Sequence, residues 1–112
     1  MLEYGYCYKL NINSCQMVIK EYNRAAQKSG LPPASMCDVF AIFEEKNGRA
    51  RCMLDFGPYA HVCASVCIDQ LEQHRAGRQS DGSWNYLTLF DLTELEAIKE
   101  YNKMWAQIAN WP

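Results

Sequence analysis

The sequence predicts a mixed α+β domain. Three observations carry this expectation: alternation of apolar and polar residues at the N-terminus, an Asn-Gly turn between two apolar runs, and helical spacings of apolar residues elsewhere.

Leu2, Tyr4, Tyr6, Tyr8, Leu10 and Ile12 alternate with Glu3, Gly5, Cys7, Lys9 and Asn11, which predicts a half-buried strand with its tyrosines turned inward. Asn13 and Ser14 then offer helix caps, with Gln16 three residues after Asn13 as in a capping box. Cys15, Val18, Ile19, Tyr22, Ala25 and Ala26 follow at helical spacing, and Gly30 with Pro32 and Pro33 stops that first helix.

Residues 36 to 56 carry the strongest local signal. Lys46-Asn47-Gly48-Arg49 reads as a two-residue hairpin turn, because Asn and Gly tolerate the positive φ that both central positions need. That turn sets the pairs Glu44 with Arg51, Phe43 with Cys52, Ile42 with Met53 and Ala41 with Leu54. Val39, Ala41, Phe43, Cys52, Leu54 and Phe56 then form one apolar face. The other face carries Asp38, Phe40, Ile42, Glu44, Arg51, Met53 and Asp55, apolar in the middle and charged at its ends.

Gly57-Pro58 opens a second expected helix, with Ala60, Cys63, Ala64, Cys67, Ile68 and Leu71 along one side and an end at Ala76-Gly77. Residues 77 to 83 form a polar loop, and Trp84 to Phe90 a short strand. Asp91 and Thr93, each three residues before a glutamate, make overlapping capping boxes for a last helix whose wide apolar face holds Leu95, Ile98, Tyr101, Met104, Trp105, Ile108 and Ala109. The order β-α-β-β-α-β is that of a ferredoxin-like fold, two helices on one face of a four-stranded antiparallel sheet, here followed by a third helix.

A chain of 112 residues fits one domain, spanning 1–112, and can bury a core without metal or disulfides. Eleven basic against thirteen acidic residues give −2, and the pI near 5.6 opposes nucleic-acid binding. No apolar run approaches the ~18 residues of a membrane span. Met1-Leu2-Glu3-Tyr4 lacks a secretory pattern, so the six cysteines are expected reduced in a cytoplasmic protein.

The chemistry-bearing residues form no recognised catalytic pattern. Cys63 and Cys67 with His61 fall short of a zinc signature and lie on the expected apolar stripe, so no metal and no cofactor are expected. A thiol nucleophile needs a base beside it, and His61, two residues from Cys63, would point elsewhere on a helix. Arg75, Arg78 and the loop from Gly77 to Gly82 lack the lysine and the order of a phosphate loop. The segment Arg49 to Phe56 lacks the glycine-aromatic pattern of an RNA-recognition strand.

What remains is surface. Phe40, Ile42 and Met53, flanked by Glu44 and Arg51, form an outer apolar patch that needs a cover: the last helix, a second copy, or another protein. Tyr101, Trp105 and Trp111 extend the same apolar surface. The expectation is a binding protein, an inhibitor or adaptor of the size and class of small immunity proteins and phage-encoded antagonists of host defence or CRISPR systems. It would meet a protein partner through these residues, with no nucleic acid and no membrane. The alternative is a ferredoxin-like homodimer enclosing a small-molecule pocket, or an active site, lined by Tyr and Cys.

Overall fold

The computed structural model describes residues 2–58, 60–78, 80, 82 and 84–109, without the side chains of 84 and 109. Strand β1 is Tyr6–Leu10 and helix α1 Ile12–Lys28. Strands β2 (Asp38–Lys46) and β3 (Arg49–Asp55) form the hairpin, and β4 is His61–Cys67. A 3₁₀ turn, Ile68–Gln70, leads to β5 (Leu71–Arg75). The short strands β6 (Gly77–Arg78), β7 (Trp84–Asn85) and β8 (Leu89–Phe90) precede helix α2 (Glu94–Ala109).

The class is α+β, mostly sheet, but the ferredoxin-like arrangement with three helices does not form. The main sheet runs β4-β3-β2-β1-β5, with β8 paired parallel to β2, and the two helices lie on its opposite faces. The expected second helix is β4, the 3₁₀ turn and β5. Ala60, Cys63, Ala64 and Cys67 satisfy a helical stripe only because small side chains fit either geometry. Val62 and Val66 between them are β-branched and favour a strand, and β4 pairs with β3 through seven consecutive residues, Arg49↔Cys67 to Asp55↔His61.

The link from β4 to β5 also bends the sheet. Four chain steps reach at most about 14 Å, whereas four strand gaps in a flat sheet need about 19 Å. The sheet therefore curls around α1 until its two edge strands meet at Ile68–Gln70.

The turn forms as expected, with φ of 53° at Asn47 and 74° at Gly48, and Lys46↔Arg49 and Glu44↔Arg51 pair as the turn dictates. Beyond Glu44 the expected register fails: Ile42 faces Cys52, Ala41 faces Met53 and Val39 faces Leu54. Phe43 and Phe40 are the extra residues of two bulges. Each bulge changes which side the following residues take. Ile42 joins Val39, Cys52 and Leu54 against α1, while Ala41 and Phe43 join Phe40 and Met53 against α2.

Asn11, not Asn13, caps α1: its side chain accepts the Ser14 N–H at 2.9 Å. At the other end Gly30, at φ 72°, lets Leu31 N–H reach the Ala26 carbonyl. Thr93 and Glu96 make the expected capping box of α2, at 3.2 and 3.1 Å. The expected strand over 84–90 is split into β7 and β8, and Thr88 between them wedges β1 from β2. Its hydroxyl accepts from Tyr8 N–H and donates to the Val39 carbonyl.

Candidate functional site

The outer face of the sheet is closed by the chain itself. Ala97 and Tyr101, one turn apart on α2, are fully buried against Phe40, Ala41 and Met53, with Ile98, Met104 and Trp105 packed around them. Of the residues expected at a partner surface, Phe40, Met53 (0 % exposed) and Tyr101 (0 %) therefore lie under or on this helix, and Ile42 is buried on the α1 side. Glu44 and Arg51 are exposed. The Arg51 guanidinium pairs with Glu94 at the start of α2 at 2.8 Å and lies over the Phe43 ring. Trp105 is partly buried beside Tyr101, and Trp111 is outside the described residues.

Beneath α2 sits a polar cluster that sequence reasoning missed. Asp55, only 5 % exposed, accepts the Gly57 N–H at 2.9 Å. The Tyr101 hydroxyl touches Asp55 Oδ1 at 3.2 Å, the Ala60 carbonyl at 2.8 Å and the Gly57 carbonyl. One hydroxyl proton thus faces three acceptors. Burial pushes the Asp55 carboxyl up from its ordinary value, against the opposing pull of the Gly57 N–H and the Tyr101 hydroxyl, and burial likewise raises the Tyr101 phenol. The His61 ring packs on Tyr101 at 4.7 Å between centroids, and its buried Nδ1 has no hydrogen-bond partner among the described residues.

On the α1 side of this turn lies an apolar groove of about 610 Å³, bounded by 31–34 on one wall and by Phe56, Pro58, Ala60 and His61 on the other. Its floor is Tyr22 stacked on Phe56, with centroids 4.2 Å apart and planes 11° off parallel. Asn23 fixes the first wall: its side chain accepts from Ala34 N–H at 2.6 Å and donates to the Ala34 carbonyl at 3.0 Å. Leu31, 56 % exposed, stands at the rim. Pro32 and Pro33 read in sequence only as helix stops. The available signal was Leu31, a large apolar residue between a helix-ending glycine and two prolines.

The other expected sites separate. His61, Cys63 and Cys67 share one face of β4 but are spread along it, and among the described residues no three metal-ligating side chains gather. A cavity lined by Tyr8, Tyr86, Cys7, Lys9, Asp38 and Asp55 holds about 30 Å³, room for one water rather than a small molecule. Burial pushes the Cys52 thiol up to about 12 and raises that of Cys37 further, which makes both inert packing groups. Among the described residues no helix is long and apolar enough to cross a membrane. No protein family, curated protein or solved structure matches the chain.

Proposed function

We propose that this chain is a binding protein rather than a catalyst, an inhibitor or adaptor that holds an extended apolar segment of a partner protein in the groove between 31–34 and Phe56–His61. The observation that carries the reading is the Asn23–Ala34 clamp, which holds one groove wall in place. A preformed wall spares the partner the entropy of ordering it. The stacked Tyr22–Phe56 pair and the proline rings give a rigid apolar lining of a volume suited to two or three side chains. The docking surface expected from sequence, around Phe40 and Met53, would open only if α2 left the sheet, so the groove replaces it in this reading.

The test is selection of peptides from a random display library on the immobilised protein, followed by binding measurements with Leu31→Asp. Selected peptides should share an apolar anchor, and Leu31→Asp should weaken them at least ~tenfold. Leu95→Asp, at an exposed residue of α2, should leave binding unchanged. Peptides that bind parent and Leu31→Asp equally, or a library that yields no binders, would overturn the groove reading.

A further inference from the structure

Strand β4 lies at one edge of the sheet. Edge strands of monomeric proteins are usually guarded by charge, proline or bulges. His61–Cys67 contains no Lys, Arg, Asp, Glu or Pro, and it pairs with β3 without a bulge. Its hydrogen-bonding phase is fixed by the bond from Ile68 N–H to the Gly48 carbonyl, which makes Arg49↔Cys67 a non-hydrogen-bonded pair. His61, Cys63, Ser65 and Cys67 therefore turn their backbone N–H and C=O groups outward.

On two of these four residues the chain occupies one outward group each. The Arg49 guanidinium donates to the Ser65 carbonyl at 3.0 Å, and the Gln70 side chain accepts the Cys67 N–H at 2.9 Å. Among the described residues nothing pairs with the outward groups of His61 and Cys63. Between them stands Val62, 43 % exposed on the α1 side.

We infer that two copies of this chain pair antiparallel through β4, about a two-fold axis at Val62. That register sets His61 against Cys63 of the other copy, and Cys63 against its His61. Each pair exchanges two N–H···O=C bonds, so the outward groups of His61 and Cys63 are satisfied by their own symmetry mates. Val62 meets Val62 of the other copy in a non-hydrogen-bonded pair, where Cα atoms approach to about 4.5 Å and the side chains cover each other. A second copy fits better than a foreign strand. The guards at Ser65 and Cys67 confine pairing to three residues, too few for a long foreign strand, whereas a second copy presents the same short run of outward groups in complementary order. Each copy's groove also ends at His61, so pairing sets two grooves beside the axis.

Sedimentation velocity between about 1 and about 500 µM, the range of weak association, provides the test. The parent should shift from monomer toward dimer across that range. Val62→Lys and Val62→Asp, each at an exposed position, should melt like the parent yet remain monomeric, because like charges would meet on the axis. Their equimolar mixture should recover a dimer, which no foreign partner predicts. A parent monomeric throughout, a Val62→Lys protein that dimerises like the parent, or a mixture that stays monomeric would overturn the inference. So would a monomeric parent that takes up a synthetic peptide in a Val62-dependent way, and that result would assign the edge to a foreign strand. These outcomes are independent of the groove, since Leu31→Asp leaves β4 unaltered.

Discussion

The two faces of the sheet are closed by one helix each, but with different chemistry. The α1 face is a continuous apolar core in which Tyr8, Leu10, Val39, Ile42, Cys52, Leu54 and Phe56 meet Val18, Ile19 and Tyr22. The α2 face is smaller, resting on Ala97 and Tyr101 against Phe40, Ala41 and Met53, and it contains the buried Asp55. Dry packing on the first face should make stability there insensitive to pH. The second face buries one carboxyl, so its stability should fall as pH rises.

The largest expected effect is on the dry face. Leu54→Ala should cost ~2–5 kcal/mol, because the site is enclosed on all sides and collapses poorly around the cavity. Urea melts give the figure, and a loss below ~1 kcal/mol would mean that the α1 core is loosely packed. On the other face, Tyr101→Phe removes the one hydroxyl shared by Asp55, Gly57 and Ala60. It should cost ~1–3 kcal/mol, the range for leaving buried polar groups unsatisfied.

Asp55 gives the comparison its sharpest form. Its folded-state value is raised, so its contribution is fully present below the ordinary aspartate value of 3.8 and is lost as pH climbs through the raised value. Asp55→Asn keeps Oδ1 as an acceptor for the Gly57 N–H and the Tyr101 hydroxyl without the charge. The parent should therefore lose stability relative to Asp55→Asn as pH rises from 4 to 7.5, whereas Leu54→Ala should differ from the parent by the same amount throughout. Parallel pH curves for parent and Asp55→Asn would show that the carboxyl carries no burial penalty.

How much of this was legible in the sequence depended on how many geometries each segment could satisfy. The Asn47-Gly48 turn was legible because few dipeptides accept two successive positive φ values, and Gly48→Val should cost more than ~1 kcal/mol by thermal melt. The capping box at Thr93 was legible for the same local reason. The bulges at Phe43 and Phe40 were not, since apolar residues fill 39–43 without interruption and leave no alternation to fix the faces. β4 was misread because Ala and Cys suit both a helix stripe and a strand, and only pairing with β3 decides between them. Of the candidate site, Pro32-Pro33 was visible as punctuation, while the groove needs Phe56 and Pro58 brought opposite by the sheet's curl. Asp55 was assigned to the outer face, correctly, but its burial follows from α2 crossing that face.

The smallest effect should come from the rim of α2. The Arg51–Glu94 pair has both side chains about half exposed, so Glu94→Gln should change stability by no more than ~1 kcal/mol and be screened by salt. A larger loss would make that ion pair, rather than Tyr101, the anchor of the helix.

The account turns on α2 closing the outer face, because that closure moves the proposed docking surface to the groove. Met53→Asp tests it most directly. If Ala97 and Tyr101 cover Met53 as observed, the new carboxylate is buried without a partner. The variant should then lose several kcal/mol, with a drop in Tm of more than ~10 °C at neutral pH. A folded Met53→Asp protein with the parent's melting curve would contradict the closure and return the outer sheet face to the surface.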